Sequence, residues 1–189
     1  MTCIIGLVHE DTIYMGGDSA LTDTDNMTQR VMADQKVFVK DSMIIGCCSS
    51  LRVMQLLEHS LQLPDQGSRQ SDIEYLVLDF MDAVRTVLKD KGSLKKENEL
   101  ETHDAQFLIG YNGVIYTVEE DYQMYQCTES WAAVGSGSDL ALGAMYALRN
   151  VSMTPEEKIR VALEAAASYN ATVRAPFYVL KLEPEPEEE

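Results

Sequence analysis

Apolar and polar positions fall in blocks along this 189-residue chain. From Cys3 to His9 the run CIIGLVH is almost wholly apolar, Glu10-Asp11 interrupts it, and Thr12 to Asp18 resumes an extended stretch rich in β-formers. The pattern predicts a β-hairpin whose first strand is buried on both faces. LTDTDNMTQRVMADQ is polar and predicts turns, after which KVFVK and SMIIGC read as two short strands on either side of Asp41. In SLRVMQLLEHSLQL the residues Leu51, Met54, Leu57 and Leu61 recur at helical spacing, and Pro64 stops the run. Ser71 caps a longer amphipathic helix with the stripe Ile73, Leu76, Val77, Phe80, Val84, Val87 and Leu88.

The second half repeats the order. KGSLKKENELETHD is charged and predicts an exposed loop, and DAQFLIGYNGVIYTVEE is a hairpin around an Asn112-Gly113 turn of type I′. YQMYQCTE adds a strand, and WAAVGSGSDLALGAMYAL reads as strand, glycine-rich turn and helix, with Ser136 or Ser138 as cap and an end near Leu148. Thr154-Pro155-Glu156-Glu157 opens a further helix, since proline suits the first turn and acids suit the positive end of the dipole. That helix carries Ile159, Val161, Leu163, Ala166 and Ala167, and PFYVLKL closes the chain's folded part as a strand. Blocks of strands and blocks of helices, without strict alternation, define an α+β domain in which two sheets are covered by two helical layers.

Composition narrows the functional classes. Thirty-one acidic side chains against 15 basic give a formal charge of −16, about −11 once the five acids of the terminal KLEPEPEEE are set aside. That balance disfavours nucleic acid and anionic membranes as partners. No apolar run approaches the roughly 18 residues of a membrane helix, and the first residues lack a signal peptide's basic region, so a cytoplasmic protein is expected. Cys3, Cys47, Cys48 and Cys127 lie in or beside apolar runs without metal-ligand spacing, which fits reduced, buried thiols; adjacent Cys47 and Cys48 point to opposite faces if extended. The organisation expected is one domain over 1–183 and an acidic, solvated tail over 184–189.

Candidate chemistry is sparse. His9, His59 and His103 are scattered over a strand end, a helix surface and a polar loop, which gives little support to a Ser-His-Asp triad or a histidine metal site. GSGSDLALG lacks the lysine of a phosphate loop and the last glycine of a dinucleotide loop, so a tight strand-to-helix turn with a serine cap accounts for it. Thr2 is different. If Met1 is removed, as is common before a small residue, Thr2 carries a hydroxyl nucleophile and a free amine base together. The first hairpin returns Asp18 beside Thr2, and Lys36 opens the next strand; a cation there lowers the amine's pKa and stabilises a developing alkoxide. The same three residues also admit a plain reading as a buried ion pair at a sheet edge.

TCIIGLVHEDTIYMGGDSA, KVFVK followed by MIIGCCSS, and WAAVGSGSDLALGAMYAL resemble, in order, proteasome β-type subunits and especially the bacterial proteasome-like peptidase HslV. The resemblance implies the four-layer αββα sandwich of N-terminal-nucleophile (Ntn) hydrolases and a threonine-type endopeptidase with no propeptide beyond Met1. It assigns Thr2 as nucleophile, Asp18 and Lys36 as its partners, and Ser136 as the serine beside the terminal amine. It also implies a homo-oligomeric ring acting on peptide or unfolded protein, an ATP-driven unfoldase as a candidate partner, and neither metal nor cofactor. Two departures stand out. Cys47-Cys48-Ser49-Ser50 replaces a glycine-rich oxyanion segment, which leaves the Ser49 N–H as oxyanion donor and Cys47 lining a small apolar specificity pocket. Asn170, Val173 and Arg174 replace an aspartate and the following Ser-Gly or Thr-Gly, which weakens the orientation of Ser136 and the amine. Two other functions therefore stay open: a catalytically silent scaffold or assembly subunit, and an Ntn amidohydrolase of small amides.

Overall fold

A computed structural model describes residues 2–184, the side chain of Glu97 aside; the expected fate of Met1 and all of the acidic tail beyond Pro184 lie outside the described residues. The chain opens with β1 (Ile4–His9), β2 (Thr12–Gly17), β3 (Ala20–Asp23), β4 (Thr28–Val31), β5 (Val37–Lys40) and β6 (Met43–Ser49). Helix α1 (Leu51–His59) follows, then a helix composed of α2 (Asp72–Glu74), a π-helical stretch over Tyr75–Phe80, and α3 (Met81–Asp90). Next come β7 (Lys95–Glu97), β8 (Leu100–Thr102), β9 (Ala105–Tyr111), β10 (Val114–Val118), β11 (Met124–Gln126) and β12 (Trp131–Val134). Helices α4 (Ser138–Leu148) and α5 (Pro155–Tyr169) precede the last strand, β13 (Tyr178–Leu182).

Two antiparallel sheets form the centre, one in the order β12-β1-β2-β13 and the other β11-β10-β9-β6-β5. Because successive side chains on a strand point to opposite faces, the unbroken apolar runs seen in the sequence feed two cores at once. Ile4 and Ile44 enter the layer between the sheets, whereas Ile5 packs under α4 and α5, and Ile45 under α1 and α3. The result is the expected αββα sandwich. Cys47 and Cys48 obey the same rule, one facing the helical layer and the other the space between sheets. The Asn112-Gly113 turn has φ of 45° and 73°, the left-handed pair that a type I′ turn requires.

Several local expectations are corrected. The polar stretch after Asp18 contains the β3–β4 hairpin, with Ala20 opposite Val31. Helix α1 ends at His59, before Pro64. In the next helix the wider π turn keeps residues four apart on one face, so Leu76, Phe80, Val84 and Leu88 are buried while Ile73 and Val77 are turned outward. The charged stretch from Lys91 forms the β7–β8 hairpin, and its last residue but one, His103, is buried rather than exposed. Helix α4 has Gly137 at its N-cap and no side-chain cap, so neither Ser136 nor Ser138 serves as one. By contrast, Thr154 and Glu157 form a reciprocal capping box at the start of α5.

Candidate active site

Thr2 and Cys3 run past the first paired residue of β1 into a gap bounded by two loops. On one side the turn after β12 closes over them: the Gly137 N–H donates to the Thr2 carbonyl at 3.1 Å. Gly135 makes this approach possible, because it has φ of +96° and a Cβ there would lie 2.4 Å from the Thr2 carbonyl oxygen. On the other side the segment after β2 runs alongside, with the Asp18 N–H donating to the Cys3 carbonyl at 3.3 Å.

Asp18, Lys36 and Thr2 meet inside this frame. The Lys36 ammonium donates to Thr2 Oγ1 at 2.9 Å, to Asp18 Oδ1 at 3.0 Å and to the Ala20 carbonyl at 2.7 Å, which uses all three of its protons. The Asp18 carboxylate also accepts from the Cys3 N–H at 3.0 Å, the Ala20 N–H at 2.9 Å and the Arg174 N–H at 3.2 Å. Thr2, Asp18 and Lys36 are 3%, 1% and 4% exposed, so these interactions act in a medium of low polarity where each is stronger than in water. Burial is the main influence on Lys36 and lowers its pKa, while the Asp18 charge and hydrogen bond oppose the shift.

Ser136 and Asn170 build a second network on the Thr2 backbone nitrogen. The Thr2 N–H donates to Ser136 Oγ at 3.2 Å, and Ser136 Oγ lies 2.7 Å from Thr172 Oγ1. Thr172 in turn donates through its hydroxyl and its N–H to Asn170 Oδ1, at 2.7 and 2.9 Å. Because an amide oxygen only accepts, the Thr172 proton points at Asn170 and the Ser136 proton at Thr172; Ser136 then presents a lone pair to the Thr2 nitrogen. The amide nitrogen of Asn170 donates to the Ser136 carbonyl at 2.6 Å, a bond that an ionised carboxylate cannot make. Asn170, expected as a weak amine-orienting residue, thus contacts the Ser136 carbonyl directly and the Ser136 hydroxyl through Thr172. Val173 is instead a core residue under α4 and α5, and Arg174 supplies only backbone groups to the site. Sequence reading missed Thr172, a single hydroxyl in an irregular loop.

A cleft of about 60 Å³ opens on Thr2 between β3 and the end of β6, lined by Ala20, Thr22, Met32, Cys47, Ser49 and Met54. Ser49 has φ of +74°, and the Ser50 N–H donates to the Cys48 carbonyl at 3.1 Å, which makes Ser49 the centre of a strained γ-turn. The conformation that glycine adopts without penalty is therefore reached here by serine. Burial, helped by Asp18 and Cys48, pushes the Cys3 thiol up to about 12, and burial likewise raises Cys47 and Cys48 beside the cleft, which disfavours their thiolate forms. No group of three or more metal-ligating side chains occurs among the described residues.

Neither family models nor curated proteins give a match to the sequence. Solved structures do. BPH from Thiobacillus denitrificans, in a complex with epoxomicin, superposes with a TM-score of 0.79 at 21% identity, covering 98% of this chain and 100% of its own. HslV from Trypanosoma brucei gives 0.69 at 18% identity, with 96% and 99% covered, and Anbu from Yersinia bercovieri gives 0.65 at 10%, with 96% and 82% covered. With its strand order, its paired helical layers and these likenesses, the chain has the proteasome-β/HslV-like Ntn-hydrolase fold.

Proposed function

We propose that the protein is a threonine-type endopeptidase subunit of a proteasome-like, self-compartmentalising protease, with Thr2 made N-terminal by removal of Met1. The observation that carries this reading is the Lys36 ammonium 2.9 Å from Thr2 Oγ1, itself pinned by Asp18 in a buried site. In the reaction, Thr2 Oγ1 bonds to the peptide carbonyl carbon and its proton passes to the Thr2 amine. Lys36 offsets the charge that develops on oxygen before transfer is complete. The amine hands the proton to the departing peptide nitrogen as the C–N bond breaks, and water then hydrolyses the Thr2 ester. The cleft wall at Ser49 supplies the oxyanion donor, and Cys47, Met32 and Met54 make the neighbouring pocket apolar.

The Ser136–Thr172–Asn170 chain favours this reading over a silent scaffold. A subunit retained only for assembly has no use for a relay that orients the Thr2 nitrogen. The likeness to HslV supports a homo-oligomeric ring, and peptide or unfolded protein is the substrate class proposed for it. Epoxomicin, seen with the Thiobacillus protein, is the first probe. Protein verified by mass spectrometry to begin at Thr2 is expected to gain one inhibitor mass, and Thr2→Ala none. An unlabelled Thr2 form that also fails to cleave peptides would sink the proposal.

A further inference from the structure

At the opposite end of β1 from Thr2, about 20 Å away by strand rise, lies a second cavity of about 240 Å³ between β1, β12 and the ends of α4 and α5. Its apolar wall includes Leu7, Trp131 and Met145; its polar lining includes His9, Arg149 and Lys158, and no acidic side chain lines it. Such a cluster is unexpected on a chain whose acids outnumber its lysines and arginines by 31 to 15.

Neither cation is in an ion pair among the described residues. Arg149 stacks its guanidinium 3.9 Å over the Tyr146 ring and donates one N–H to the Tyr146 carbonyl at 2.6 Å, which fixes the plane of a group with five donors. Lys158 has no ion-pair partner among the described residues. Glu157, its neighbour in sequence, turns its carboxylate onto the Thr154 N–H at 2.8 Å. A fixed guanidinium and an unpaired lysine beside an indole and a thioether suit a ligand with an anionic head and an apolar body.

We propose that this cavity binds a small monocarboxylate, its carboxylate between Arg149 and Lys158 and its apolar portion against Trp131 and Met145. The site is separate from the Thr2 chemistry and does not depend on it. Trp131 is the only tryptophan in the chain, so its fluorescence reports occupancy directly. The probe is 3-phenylpropionate, titrated into the assembled wild-type protein alongside its primary amide. A saturable change in Trp131 emission is expected with the carboxylate, and binding about tenfold weaker with the amide. Lys158→Gln and Arg149→Gln are each expected to weaken carboxylate binding by about tenfold while leaving labelling at Thr2 unchanged. A carboxylate that gives no saturable change, an amide that binds as tightly, or variants that bind like the wild type would overturn the proposal. The amide comparison needs no variant to fold.

Discussion

Two regions of this molecule bury polar side chains, and they do so in opposite ways. Around Thr2, every proton of Lys36 has an acceptor, and Asp18 accepts from three N–H groups as well as from Lys36. Around His103, which is 1% exposed, neither ring nitrogen nor the Tyr122 hydroxyl has a well-aligned hydrogen-bond partner among the described residues, the Ala105 backbone being the polar group that favours a charged ring. His103 there meets the edge of Tyr122 at 4.7 Å between ring centres and tilts against Phe107 at 5.7 Å. The first region holds an ion pair whose hydrogen-bonding groups are fully paired; the second packs an imidazole mainly against aromatic rings. Burial of a polar group alone therefore marks no site here, and the two regions differ in how fully the buried groups are paired.

The sharpest way to break this comparison is to remove the cation. Lys36→Met leaves the Asp18 carboxylate buried without its counter-charge, and a loss of about 3–5 kcal/mol in urea unfolding is expected. Labelling at Thr2 is expected to fall by about 10³-fold. A Lys36→Met protein of unchanged stability would mean that the network is ornamental.

The next effect belongs to His103. Burial lowers its pKa from 6.5 to about 4. Between those values the unfolded chain binds a proton that the folded chain refuses, so stability falls as pH drops through that window and is unaffected above it. The expected loss from pH 7 to pH 4.5 is about 2–3 kcal/mol from this residue, and His103→Phe is expected to abolish that share. Parallel unfolding curves at the two pH values measure it.

Smaller effects test the relay and the strained turn. Thr172→Val removes the hydroxyl between Ser136 and Asn170, with an expected cost of about 1 kcal/mol and labelling about tenfold slower; Thr172→Ser restores both. A loss of stability with no change in labelling would reduce Thr172 to packing. Ser49→Gly relieves the +74° backbone and is expected to stabilise by about 1 kcal/mol or less without slowing labelling.

The layers were legible because strand runs such as Cys3–Leu7 are buried on both faces, as a sheet sandwiched between two cores requires. Thr2, Asp18 and Lys36 could be brought together because a hairpin returns its last residue to its first, and Gly17 indeed lies opposite Ile4. What stayed hidden depends on geometry that residue type does not encode. The β3–β4 hairpin leaves Leu21 and Val31 substantially exposed, so no apolar alternation announces it. The π turn alters a helical period that a 3.6-residue template assumes. His103 sits amid Lys, Glu and Asp, and its neighbours in sequence say nothing of Phe107 and Tyr122. The positive φ of Ser49 has no signature in a segment without glycine.

The contacts around Thr2 come from both ends of the chain: Asp18 and Lys36 follow it closely, whereas Ser136 lies 134 positions beyond it and the Arg174 N–H reaches Asp18 across 156. In a growing chain Asp18 and Lys36 can therefore reach Thr2 early, whereas the hydroxyl beside its nitrogen and the N–H on Asp18 arrive only when most of the polypeptide has been made.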